Sequence, residues 1–193
     1  MEAFSFAGLK NFVLEKTKER YPDLVRKLYA NLPYTNGIIY SEVKYHIAFS
    51  LEEFASTCNL PYLEPEYDQN YEGNELYLDT LVHSFLNDPT SFVPSPFIVG
   101  VIHTNIRLVH YTSGQILFQR KGNYNTVSRP YIHVIWFLHN QIPKNWADVV
   151  LSHMLEGKRK NNVPPYVEFI TKIFQSIGYP FGEEELIFEH IKI

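Results

Sequence analysis

Eight histidines, one cysteine and a scatter of basic residues are the groups with which this 193-residue chain could do chemistry. His103 and His110 are the histidines most open to a metal reading, since a spacing of seven puts both on one helical face. No carboxylate follows either at i+3 or i+4, and no H-E-x-x-H occurs, so the set of ligands a metal needs does not form. Cys58 with a distant histidine could be a nucleophile pair. It falls on an apolar helical face with no cation beside it to stabilise a thiolate, and reads as a buried structural residue. Ser113-Gly114 lacks the G-x-S-x-G elbow, and neither G-x-x-x-x-G-K-[ST] nor G-x-G-x-x-G is present. The acids cluster at Glu64 to Asp68 and Glu183 to Glu185, in a predicted loop and at a predicted helix start. A two-metal nuclease needs carboxylates converging from core strands, so these read as solvated charge. No catalytic residue, metal ligand or cofactor-binding residue is assigned.

What remains is a possible contact surface: Arg120, Lys121, Tyr124, Arg129, Lys158, Arg159 and Lys160. The cations fall at helix ends or in loops, where they stabilise carbonyl termini without any ligand. Gathered on one side with Tyr124, they could hold a nucleic-acid strand through phosphate contacts and stacking. The stretch from Gly122 to Thr126 raises the same choice, between a phosphate-gripping loop and a connection between helices. Its glycine, asparagines and threonine each suit a turn or a cap, so the connection is the expected reading.

The elements that must position these residues are mostly helices. Leu9, Phe12 and Val13 share a face of a first helix predicted to end near Arg20. Pro22 opens a second, whose stripe is Leu24, Val25, Leu28, Tyr29 and Leu32. Asn36-Gly37 is a turn signal, and the run from Ile38 to Phe49 reads as a small β-hairpin near residues 37–50. Ser50 with Glu53 forms a capping box for a helix bearing Leu51, Phe54 and Cys58, closed by Asn59 and Pro61. Further helices are predicted around Leu78 to Leu86, from a Thr104 cap to about Lys121, and from a Ser128 cap through Val134 to Leu138. Others run from Asn145 to a stop at Gly157 and from Pro164-Pro165 to Gly178, and a last short one carries Leu186, Ile187 and Ile191. The expected fold is mainly α, a single domain over 1–193 with about eight or nine helices.

Hydrophobic residues at 45% and charged residues at 20% are an ordinary globular mix, and the net charge of -4 argues against a general grip on nucleic acid. A single cysteine excludes an intrachain disulfide and points to an intracellular setting, nucleus or cytoplasm. The start MEAFSFAGLK lacks the pattern of a secretory signal. The uncharged run from Pro89 to Ile106 is broken by Pro94, Pro96 and Gly100, so it reads as a buried extended connection rather than a membrane span.

The run from Pro22 to Leu32, followed by Val43, Ile47 to Ser50 and Asn59-Leu60-Pro61, resembles the plant transposon protein family. That domain occurs in plant retroelement-derived reading frames, some labelled envelope-like or gag-like. The second half carries matching blocks: Arg107 to Tyr111, Ile116 to Phe118, Arg120 to Tyr124, Ser152 to Met154, and Pro165-Tyr166 leading to Ile170 to Phe174. The resemblance covers about residues 8–181 in order. Lys44 stands where the family has a glycine, and Gln119 where it has a proline. The resemblance implies origin in a mobile element and no established catalytic residues. The expected function is a non-catalytic binding or assembly module, with a protein partner or self-association. The alternatives are a DNA-acting transposase or nuclease, and a weak nucleic-acid-binding domain.

Overall fold

The computed structural model describes residues 2–14, 19–30, 32–42, 46–63, 75–88, 90, 97–118, 124–159, 166–181 and 187–188. It is mainly α-helical, with nine α-helices and two small antiparallel sheets among the described residues. The backbone divides into two compact units, Met1–Lys10 with Leu63–Lys144, and Asn11–Tyr62 with Asn145–Ile193.

The predicted first helix is two short ones, α1 (Glu2–Phe6) and α2 (Lys10–Leu14), parted at Gly8, whose φ of 71° only glycine adopts cheaply. Neither runs on to Arg20. Glu19–Arg20 is instead a strand, β1, paired antiparallel with β5 (Ile187–Phe188), so Ile187 lies in a strand rather than in the predicted last helix, whose Leu186 and Ile191 lie outside the described residues. Helical spacing of apolar residues cannot distinguish a final helical turn from a two-residue strand when the pairing partner lies at the other end of the chain.

In the unit built from 11–62 and 145–193, α3 (Pro22–Ala30) buries Leu24, Val25, Leu28 and Tyr29 as its stripe predicts. The hairpin is a three-stranded sheet in the order β2 (Tyr34–Thr35), β3 (Ile38–Glu42), β4 (His46–Ser50). Asn36 and Gly37 both have positive φ, 53° and 76°, the pattern of a type I′ turn whose twist suits the strands it joins. Along β4, Ile47 and Phe49 point inward and His46 and Ala48 outward. Ser50 then caps α4 (Leu51–Thr57): its hydroxyl accepts from Glu53 N at 3.1 Å while its own amide donates to Glu53 Oε2 at 2.7 Å. Cys58, just past α4, is fully buried. Asn145 Oδ1 accepts from Asp148 N at 3.2 Å at the start of α8 (Trp146–Arg159). This helix runs through Gly157 rather than stopping there, since Gly weakens a helix without ending it. α9 (Val167–Ser176) completes the unit, with Phe169 stacked on Phe12 at 4.1 Å and 8°.

In the other unit, α5 (Glu75–Phe85), α6 (Thr104–Thr112) and α7 (Arg129–His139) pack around Val82, Phe85, Ile102, Ile106, Ile132 and Ile135. Of the run from Pro89 to Ile106 expected to be a buried extended connection, Phe97, Val99 and Ile102 are buried, but Ile98 is exposed, Val99–Val101 is a 3₁₀ turn and Thr104 already begins α6; Pro89 and residues 91–96 lie outside the described residues. Two isolated antiparallel bridges tie it down, Leu86 to Ile102 and Ile98 to Thr126.

Candidate functional site

Of the predicted contact residues, Tyr124 is fully placed. Arg120, Lys121 and Lys160 lie outside the described residues. The backbone of Arg129 opens α7 and that of Lys158 and Arg159 closes α8, with their side chains outside the description. Arg129 and Tyr124 belong to one compact unit and Lys158 and Arg159 to the other.

Tyr124 is anchored from three sides. The residues after it run beside the 97–99 segment: Val99 N donates to Asn125 O at 2.9 Å, and Val127 N to Phe97 O at 2.9 Å. His110, buried near the end of α6, contacts the Tyr124 carbonyl through Nε2 at 3.1 Å. A carbonyl only accepts, so Nε2 carries the proton. The Tyr124 ring lies against Gly114, where an added Cβ would stand 3.0 Å from Cε1. Gly114 sits in a π-helical turn, Ser113–Leu117, that continues α6 and is closed by Phe118 N donating to Ser113 O at 2.9 Å. Wide turns of this kind interrupt a helix where local packing demands it. Of the expected connection, Gly122 and Asn123 lie outside the described residues; the rest leads into α7, and along it Thr126 bridges to Ile98 rather than capping that helix. Ser128 takes the N-cap position of α7 through its backbone, without a side-chain bond, and Thr104 is the first residue of α6 rather than its cap.

The outward face of α6 carries residues that periodicity alone did not mark. Thr104, Leu108 and Tyr111 recur at i, i+4 and i+7 and are all exposed. Leu108 is 64% and Tyr111 36% exposed, and the Tyr111 ring lies 6.4 Å from that of Tyr124, inclined at 57°. Arg107, half-buried on the same side, donates from Nη2 to Thr104 Oγ1 at 2.9 Å. Leu108 stands off the inward stripe of Ile106 and His110, and that departure was the available signal.

His103 and His110, the pair weighed as metal ligands, part company: His103 precedes α6 and is exposed, whereas His110 is buried on Tyr124. His139, at the end of α7, has its imidazolium disfavoured by burial and then by the neighbouring charge of His103, so its pKa lies below the ordinary histidine value. Among the described residues no group of three or more His, Cys, Asp or Glu is placed to hold a metal ion, and no helix is long and apolar enough to cross a membrane. No family model, curated protein or solved structure matches the chain.

Proposed function

We propose that this chain is a mobile-element-derived binding or assembly module that works by surface contact rather than by catalysis. The observation that carries this reading is the outward stripe of α6, where Leu108 and Tyr111 stand exposed beside Tyr124. Tyrosine and arginine are the residue types enriched at the energetic centre of protein interfaces, and Leu108 adds exposed apolar area beside them. The mobile-element origin rests on the resemblance alone, two of whose separate blocks, Arg107 to Tyr111 and the one ending at Tyr124, meet through the His110 contact.

A cleavage assay tests the non-catalytic part. The full chain incubated with supercoiled plasmid and Mg²⁺ or Mn²⁺ should leave it intact. Reproducible nicking that is abolished by substituting one acidic residue would overturn the proposal in favour of a DNA-acting enzyme.

A further inference from the structure

The charges of this chain are unevenly distributed along it. Between Asp88 and Asp148 there is no Asp or Glu, although the whole chain has 21, and that interval holds Arg107, Arg120, Lys121, Arg129 and Lys144. α6 lies within it. Of these cations Arg107 and Lys144 have described side chains, and Arg107 stands on α6 beside Leu108 and Tyr111.

We infer that the outward face of α6 binds an acidic peptide segment carrying a large apolar residue within about one helical turn of a carboxylate. The inference rests on the proposed binding function and names its partner by chemistry. A rotation of about 100° per residue puts Arg107, Tyr111 and Leu108 within one arc of about 100°. The arc thus offers a guanidinium at one side and an exposed isobutyl group at the other, with a phenol between them. Thr104 Oγ1 is the side-chain hydrogen-bond partner of Arg107 among the described residues, and its Nε is enclosed without one. The enclosed Nε is beyond a ligand's reach, so a carboxylate, the strongest partner of a guanidinium, would pair with the Nη groups of this half-buried side chain. Leu108, nearly two-thirds exposed, gains only from an apolar side chain placed over it.

Single-stranded nucleic acid fits this face less well. Bases stack on open, parallel aromatic faces, but the Tyr124 ring lies with its Cδ1–Cε1 side against Gly114, and the Tyr111 ring is inclined to it by 57°. Leu108 offers nothing to a phosphate. The net charge of -4 also opposes the long-range attraction on which non-specific nucleic-acid binding depends.

The test is to pan a random dodecapeptide phage library on the full chain at physiological salt, then measure the enriched peptides by fluorescence anisotropy. Enriched sequences should place Asp or Glu three or four positions from Leu, Ile, Phe or Trp. Arg107→Glu and Leu108→Ser should each weaken them about tenfold or more, as loss of a central interface contact does. Leu108 is 64% exposed, so circular dichroism and the melting temperature of Leu108→Ser should stay at wild-type values, which keeps the test valid if Arg107→Glu, altering a half-buried side chain, loses stability. Failure to enrich such sequences, or binding indifferent to both substitutions, overturns the inference. So does an oligo-dT strand that binds more tightly than any enriched peptide and depends on Tyr111. None of these outcomes bears on plasmid nicking, so the binding function and its partner class fail separately.

Discussion

His110 Nε2 and the Tyr124 carbonyl oxygen, fourteen residues apart in sequence, lie 3.1 Å apart and tie down the backbone from which the Tyr124 ring reaches Gly114. Held this way, the ring has little freedom to retreat from an added methyl group. Gly114→Ala should therefore destabilise the protein by about 1–3 kcal/mol in urea unfolding, through overpacking. In a Tyr124→Ala background the same substitution should become neutral or stabilising by up to about 1 kcal/mol, because alanine is the better helix former. Equal effects in both backgrounds would mean that the ring does not rest there.

The Ser50–Glu53 capping box yields a second expectation. Ser50→Ala should cost about 1 kcal/mol of stability at neutral pH. The Glu53 carboxylate accepts from the Ser50 amide and lies close to its hydroxyl, and these contacts hold its pKa below the ordinary carboxylate value. A depressed folded pKa means that this contribution is fully present above the unfolded value near 4.5 and is lost as pH falls through the folded one. Unfolding followed from pH 7 to pH 3 should show a smaller loss of stability at the acid end in Glu53→Gln than in the wild type.

His139 acts at higher pH. Its pKa is depressed in the folded chain, so above about 6.5 both states are neutral there and no penalty exists. As pH falls below that value the unfolded chain takes up the proton first and stability drops, until the folded imidazole is protonated too. His139→Gln should flatten the stability profile between pH 7 and pH 5. An unchanged profile would show that the burial of His139 and the charge of His103 do not reach its imidazole.

Tyr166 and Phe12 report on the other compact unit. The Tyr166 hydroxyl lies 2.8 Å from His153 Nδ1, with the Tyr166 side chain fully buried. Tyr166→Phe should cost about 1–3 kcal/mol by leaving the imidazole nitrogen without that partner. Phe12→Ala should cost about 3–5 kcal/mol, since it empties the space beneath the Phe169 ring. Chemical denaturation of the two variants would measure both, and a loss below about 0.5 kcal/mol in either would contradict the packing described.

Much of this arrangement was legible in the residues themselves because local chemistry decides it. Asn36-Gly37 specifies a turn by its dihedral preference, Ser50-x-x-Glu53 a helix start by reciprocal hydrogen bonds, and the stripe from Leu24 to Tyr29 a buried face. The pairing of Glu19–Arg20 with Ile187–Phe188 was hidden because strands so short carry no period of their own, and the continuation of α8 past Gly157 because one glycine costs less than the surrounding helix gains. Tyr124 was singled out as a contact residue from its sequence block, and the structure puts it beside Tyr111. The exposed Leu108 went unmarked, since a lone apolar residue off the inward stripe has no distinctive spacing.

Amide hydrogen exchange of the full chain, with and without an enriched acidic–apolar peptide, tests most directly whether the α6 face is where this protein binds. Protection is predicted to concentrate in Thr104–Leu117 and around Tyr124, and to vanish in Leu108→Ser. Protection centred elsewhere in the chain, with α6 unchanged, would contradict the account.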